Sequence, residues 1–467
     1  MGYQAGLGGT TSAPYNTGQY NVAMGNEALK SFTTATRMVA IGYEAMTDTT
    51  TGQDSIAIGY QAAYYSTGSY SVTIGMNSGL RSGPYNVYIG YNAGSSVRAS
   101  NSNVAVGSNA MFANAGNQNV AIGNTAGEQF RGTESTAVGS QAGRHATGSY
   151  NTFVGMSAGY GSITSAPYSS GTKNVALGYE ALKSFTTGTQ NVAIGHEAGD
   201  AITTANQNVI IGSQAGSNIS TGGYNVIMGN DAGSAHDDSS YNVVIGYRTS
   251  ANGTSGGGDN NVIVGAQAGG QQATMTGGNN TILGMSAMQY ATSANGNISI
   301  GWDSANALTT GDYNIFMGYS AGSNTTDVDY AVVLGFQAGN ANMTSDADGT
   351  IAIGYKAAKA LTSGASNTVI GYQAGTEITT ADKNTIIGYE AVYSSSANND
   401  MVVVGYKAGY NLNGDDHTGA VLIGSEAGYN LTNDHPAQRG SMYIGYQAGY
   451  NFTTANTSMG IGFKALW

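Results

Sequence analysis

The sequence predicts an all-β chain: a parallel β-solenoid of about 17 residues per coil. Three observations predict it. A Gly-marked segment of the Asn-Val-Ala-Ile-Gly type recurs from one end of the chain to the other. Apolar residues alternate with a third position just before that Gly. The segments between are rich in Thr, Ser, Gly, Asn and Tyr, the composition of turns.

Composition narrows the class first. The chain has 467 residues, with Gly 72, Pro 4 and only 9% charged residues. An ordinary globular chain carries roughly 25% charged residues. Disorder requires few β-branched and aromatic residues, yet Val and Ile recur at fixed places and Tyr numbers 32. Gly does not occupy every third position, which excludes collagen. The net charge of −12 disfavours nucleic acid and anionic membrane as partners. Cys is absent, so neither disulfides nor thiolate chemistry are available. No apolar run reaches the roughly 18 residues of a membrane span.

The repeat fixes the rest. The marker Gly occurs 27 times between Gly2 and Gly462, mostly 16 or 17 residues apart. Leaving out the truncated first copy, the preceding residue is Ile, Leu, Val or Met in 26 of 26 copies. Two residues earlier stands Val, Ile or Thr in 24 of 26, with Met442 and Met459 as exceptions. These two columns share one face of a short strand. They are expected to fill a core between coils, as Val192, Ile194, Val209 and Ile211 would. The Gly, as at Gly195 and Gly212, is expected to provide positive φ or close backbone approach. Three residues after it stands Ala in 23 of 26 copies, including Ala198 and Ala215. That column implies room for a small side chain and little more, so Ala198→Leu and Ala215→Leu are expected to block chain association.

Four residues before the Gly stands Asn in 16 of 26 copies. Two explanations stay open: a hydrogen-bonded ladder from coil to coil, or turn chemistry before a strand. The column between the two apolar ones is often Ala early (Ala23, Ala40, Ala57) and large later (Ile210, Ile263, Phe316). A strand apolar on both faces is buried on both. One face lines the coil; the other calls for a partner, which points to neighbouring copies.

The organisation expected is one array over 1–467, with no domain boundary. The insert at 11–15 and its copy at 164–168 are each followed by Leu-Lys-Ser-Phe, at 29–32 and 182–185. They mark an internal duplication with a seam near 160. Both ends fall mid-repeat, at Met1-Gly2-Tyr3 and Gly462-Phe463-Lys464, which suggests a fragment of a longer chain. Coils about 4.8 Å apart would make a rod on the order of 130 Å.

The Asn-Val-Ala-Ile-Gly-x-x-Ala unit resembles the head repeats of trimeric autotransporter adhesins. The longer unit, as in Gly371-Tyr372-Gln373-Ala374-Gly375 with its Thr-Thr-Gly loops, is similar to repeats of phage tail-fibre-like proteins. The resemblance spans essentially the whole chain. It implies a left-handed β-roll wound as a homotrimeric elongated fibre. It also implies a non-catalytic role in adhesion to a cell-surface glycan or protein receptor, from an extracellular, cell-surface or virion position. The coil is longer than the adhesin repeat.

Other chemistry finds less support in the residues. Tyr43, Tyr60, Tyr91, Tyr179 and Tyr372 follow the marker Gly and could offer surface contacts, sugars stacking on their rings among them. The alternative is that they cover the outside of the Ala column. An acyltransferase-type hexapeptide helix needs three aliphatic hexads per coil, and one is regular. Its usual catalytic residue is His, and His145, His196, His236, His417 and His435 share no column. His236-Asp237-Asp238 and Asp415-Asp416-His417 are possible metal loops, but such loops are far more often plain acidic surface. Asn-x-Ser/Thr sites, among them Asn252, Asn324 and Asn456, could carry glycans, but a chain so rich in Asn, Ser and Thr makes such sites by chance. Ice binding needs a flat Thr face, and the Thr residues fall in loops of uneven length. No catalytic, cofactor or metal residue is assigned.

Overall fold

The structure is a computed structural model. It describes residues 1–9, 16–97, 100–113, 115–162, 169–234, 237–251, 258–271, 275–413, 417–432, 440–452 and 458–466. The inserts at 11–15 and 164–168, His236, Asn252, Asp415, Asp416, His435 and Asn456 lie outside the described residues.

One strand per coil is the rule, and the strands stack in parallel. The chain divides into two compact units, Met1–Met228 and Gly229–Trp467. In the first, strands of three residues recur from Val22–Met24 to Val226–Met228. Val192, Ala193 and Ile194 pair in parallel with Val209, Ile210 and Ile211. In the second, they recur from Val243–Ile245 to Met459–Ile461. There Thr368, Val369 and Ile370 pair with Thr385, Ile386 and Ile387. The second unit adds a small parallel pair, Asn411–Asn413 against Asn430–Thr432. Helix among the described residues amounts to one 3₁₀ turn, Ser345–Ala347. The fold is thus a parallel β-solenoid of about 17 residues per turn.

The marker Gly ends each strand for two reasons. Gly195 has φ +137 and Gly371 has φ +141, where side chains are disfavoured. A Cβ on Gly195 would also overlap the carbonyl oxygen of Gly212 in the next coil, as one on Gly371 would overlap that of Gly388. The turn that follows keeps its backbone bonds directed between coils. The Gly195 N–H donates to Leu177 O at 2.8 Å and the Glu197 N–H to Tyr179 O at 2.8 Å. The Gly199 N–H donates to Ala215 O at 2.9 Å, in the opposite sense.

The interior differs from the expectation in one respect. The middle strand residue faces inward: Ala193, Ile210, Phe316 and Ile386 are fully buried. The flanking pair faces outward, so Val192, Ile194, Val209 and Ile211 are only half-buried. Alternation assigns residues to two faces but does not say which face is inside. The inward face is closed by the column three after the Gly, where Ala198 and Ala215 are fully buried. A third wall, seven residues after the Gly, carries Phe185, Ile202, Ile219, Leu308, Leu361 and Ile378, all fully buried. The sequence hides that wall because it holds Ser or Thr in other coils, as at Thr49 and Ser66.

Volumes trade between walls. Where the inward residue is large, the position four after the Gly is often Gly: Phe153 with Gly159, Phe316 with Gly322, Tyr443 with Gly449. A Cβ on Gly322 would collide with the Phe316 ring. Where the inward residue is Ala, that position can hold a large side chain, as Ala176 with Leu182 and Ala105 with Met111. Close packing leaves no room for both.

Candidate functional site

Two surfaces and one buried column carry the chain's distinctive side chains. The first is the outward strand face. Val192 and Ile194 repeat as Val209 and Ile211 one coil on, held in register by the parallel pairing. Several members are well exposed: Met24 at 51%, Leu177 at 45% and Leu283 at 47%. Each unit therefore presents a double row of aliphatic side chains to solvent. Ala198 and Ala215 are not on this face. They point into the chain's own interior, so enlarging them tests coil packing directly and association only through it.

The second surface is aromatic. The residue after the marker Gly is exposed at Tyr43, Tyr60, Tyr91, Tyr179 and Tyr372. Tyr43 stacks on Tyr60 with centroids 5.2 Å apart, and Tyr179 stacks on His196 at 5.2 Å. Tyr372 lies between Tyr355 and Tyr389, at 4.9 Å from each. That stack belongs to a longer one running Trp302, Tyr319, Phe336, Tyr355, Tyr372, Tyr389, Tyr406. A second stack in the same unit joins Tyr393, Tyr410, Tyr429 and Tyr450, at 5.2, 5.0 and 4.9 Å. Lys407 lies 5.6 Å from the Tyr406 ring centre and 5.0 Å from that of Tyr410, between the two stacks. It also pairs with Glu390 at 3.3 Å. Rings inside a stack have both faces covered. They show solvent their edges and hydroxyls, not the faces on which a sugar would lie.

The third feature is the Asn column, and the structure decides between its two explanations. Asn191, Asn208, Asn297 and Asn314 are buried. The Asn208 N–H donates to Asn191 Oδ1 at 3.1 Å, and its Nδ2 donates to Gly222 O at 2.9 Å. In the second unit the Asn314 N–H donates to Asn297 Oδ1 at 2.8 Å. The column is a ladder from coil to coil, satisfying backbone donors that would otherwise be buried without partners.

The titratable groups are dispersed. His145 is buried edge-on against Tyr160, with centroids 4.9 Å apart. Burial first, then the Arg144 charge, holds its pKa below the ordinary histidine value. His196 belongs to the surface stack with Tyr179. The His417 N–H donates to Asn398 Oδ1 at 2.8 Å. A surface depression of about 380 Å³ beside Tyr160, Ser162 and Thr186 also contains Lys183. Lys183 is held by Glu180 at 2.9 Å. Among the described residues, no group of three or more His, Asp or Glu is placed to hold a metal ion. No described helix is long and apolar enough to cross a membrane.

Scanned against protein-family models the chain matches none, and a search of curated proteins returns no match.

Proposed function

We propose that the chain is a non-catalytic fibre segment that assembles as a homotrimer through its outward strand face. The observation that carries this is the double aliphatic row. A sheet apolar on both faces is stable when both are covered, and a continuous exposed apolar patch marks an association surface. Another copy of the same chain offers the same residues at the same coil spacing, so contacts made at one coil repeat at the next. The resemblance to adhesin heads and tail-fibre repeats supports three copies. It also supports a place outside the cell or on a virion. The work of such a segment is to hold a receptor-binding part away from a surface. Adhesion to a cell-surface glycan or protein then belongs to the loops rather than to the stacked ring faces.

The test places charge on the outward face without touching the interior. Ile194→Lys with Ile211→Lys is expected to convert the oligomer to a monomer while circular dichroism stays that of a β-solenoid. An oligomer unchanged in mass by both substitutions would sink the reading.

A further inference from the structure

We infer that the two tyrosine ladders of the second unit are oxidative cross-linking sites, at which a haem-peroxidase-type oxidant staples neighbouring coils through dityrosine. The inference does not rest on the trimer, because both phenols of each pair belong to one chain.

Three observations carry it. The pairs are fixed: Tyr355, Tyr372, Tyr389 and Tyr406 stand at 4.9, 4.9 and 5.4 Å, with ring planes within 18°. Tyr393, Tyr410, Tyr429 and Tyr450 form a second series, with planes within 10°. Members are reachable: Tyr372, Tyr389 and Tyr406 are exposed, and a stacked ring shows solvent its edge, which carries the hydroxyl and the ortho carbons. The chain has no Cys and only two Trp to compete for a one-electron oxidant. A phenoxyl radical formed in a ladder therefore has its coupling partner in the next coil, at an effective concentration no free encounter reaches.

The chemistry balances. Each of two phenols loses one electron and one proton. The two radicals join by one carbon–carbon bond between ortho positions. The two displaced ortho hydrogens move to the oxygens, restoring both aromatic rings. Hydrogen peroxide, the terminal oxidant, takes up the two electrons and two protons and leaves as two waters. The chain loses two hydrogens per link.

The ladder contains its own controls. Phe336 sits in the first stack between Tyr319 and Tyr355. The ring stack continues there while the phenol series is broken. Tyr3, Tyr91 and Tyr247 are exposed phenols whose column neighbours are not tyrosine. Tyr88 and Tyr443 are fully buried.

The experiment treats the full chain, at high dilution, with a haem peroxidase and limiting hydrogen peroxide. Dityrosine fluorescence, intact mass and peptide mapping are read. The expected links join ladder neighbours within one chain, such as Tyr355 to Tyr372 and Tyr410 to Tyr429, with none from Tyr319 to Tyr355. Tyr410→Phe keeps the ring and is expected to abolish the links to Tyr393 and Tyr429 while leaving Tyr429 to Tyr450. Links spread equally over Tyr3, Tyr91 and Tyr247, links solely between chains, or no dityrosine at all would overturn the inference. So would a Tyr393 to Tyr429 link in the Tyr410→Phe variant, since it would show that the ladder does not hold its rings in place.

Discussion

In the first unit the inward strand residue is mostly Ala, as at Ala40, Ala57, Ala121 and Ala176. In the second it is mostly larger, as at Ile263, Ile282, Phe316, Val369 and Leu422. The first unit fills its coils from other walls, with Leu29, Met46, Met111, Phe130 and Phe185. It also tolerates a polar layer. One of its apolar clusters ends at Ala63. The next coils bury Ser66, Ser71, Thr73, Ser78 and Ser82, with Ser66 and Ser82 hydroxyls 2.9 Å apart. In the second unit one apolar cluster runs from Ile263 to Ala448. The same difference shows outside, where paired rings in the first unit become long ladders in the second. One backbone repeat therefore admits two ways of filling a coil, provided the walls compensate one another.

The largest effect is expected where the units are alike. Gly195→Ala in the first and Gly371→Ala in the second place a Cβ into the next coil's carbonyl at strongly positive φ. Strain of this kind costs about 1–3 kcal/mol before the overlap is counted, so each variant should lose more than about 3 kcal/mol in chemical denaturation. Similar losses in both units would show that the backbone rule is shared.

The next predictions separate the units. Phe316→Ala should destabilise the second unit by about 3–5 kcal/mol. In the first, Ala176→Phe should overpack against Leu182 and cost about 1–3 kcal/mol. Adding Leu182→Gly should recover most of that loss. Leu182 already has φ 54, where Gly is comfortable. A double-mutant cycle on denaturation free energies would measure the coupling. Additive losses would contradict wall-to-wall compensation.

Asn297→Ala removes the acceptor for the buried Asn314 N–H. A loss of about 1–3 kcal/mol is expected, with faster amide exchange at residue 314. At the matching place in the first unit, Ser135 takes the column and its Oγ accepts from the Asn151 N–H at 3.2 Å. There Ser135→Asn should fold without loss, because Asn fits the same ladder elsewhere.

The smallest effect is a pH dependence at His145 in the first unit. Burial lowers the folded His145 pKa. As pH falls through the ordinary histidine value of 6.5, the unfolded chain takes up the proton before the folded one. Stability is then lost until the folded His145 protonates as well. Hydrogen exchange around His145 should quicken over that window, and His145→Gln should remove the dependence.

Much of this was legible in the sequence. The period, the strand position, the marker Gly and the small Ala column follow from spacing and residue type. The inward face was not, because Val192 and Ala193 are both apolar and alternation is symmetric between faces. A further signal was present: Ala176 is followed by Leu182 and Phe316 by Gly322, and that trade in volume identifies two residues that share an interior. The Asn column could be located but not explained, since ladder and turn ask for the same side chain. The Tyr stripe was visible as a stripe, yet whether rings present faces or edges depends on their stacking, which one-dimensional spacing does not contain.

The central claim is that the outward aliphatic face is covered by further copies of the chain. The direct measurement is the mass of the native chain in solution by light scattering, before and after heating in detergent. About three times the 47.4 kDa of one chain, retained in detergent, is the result this account predicts. A single-chain mass at every concentration tested would contradict it, and would mean that Val192, Ile194 and their counterparts face water in the working protein.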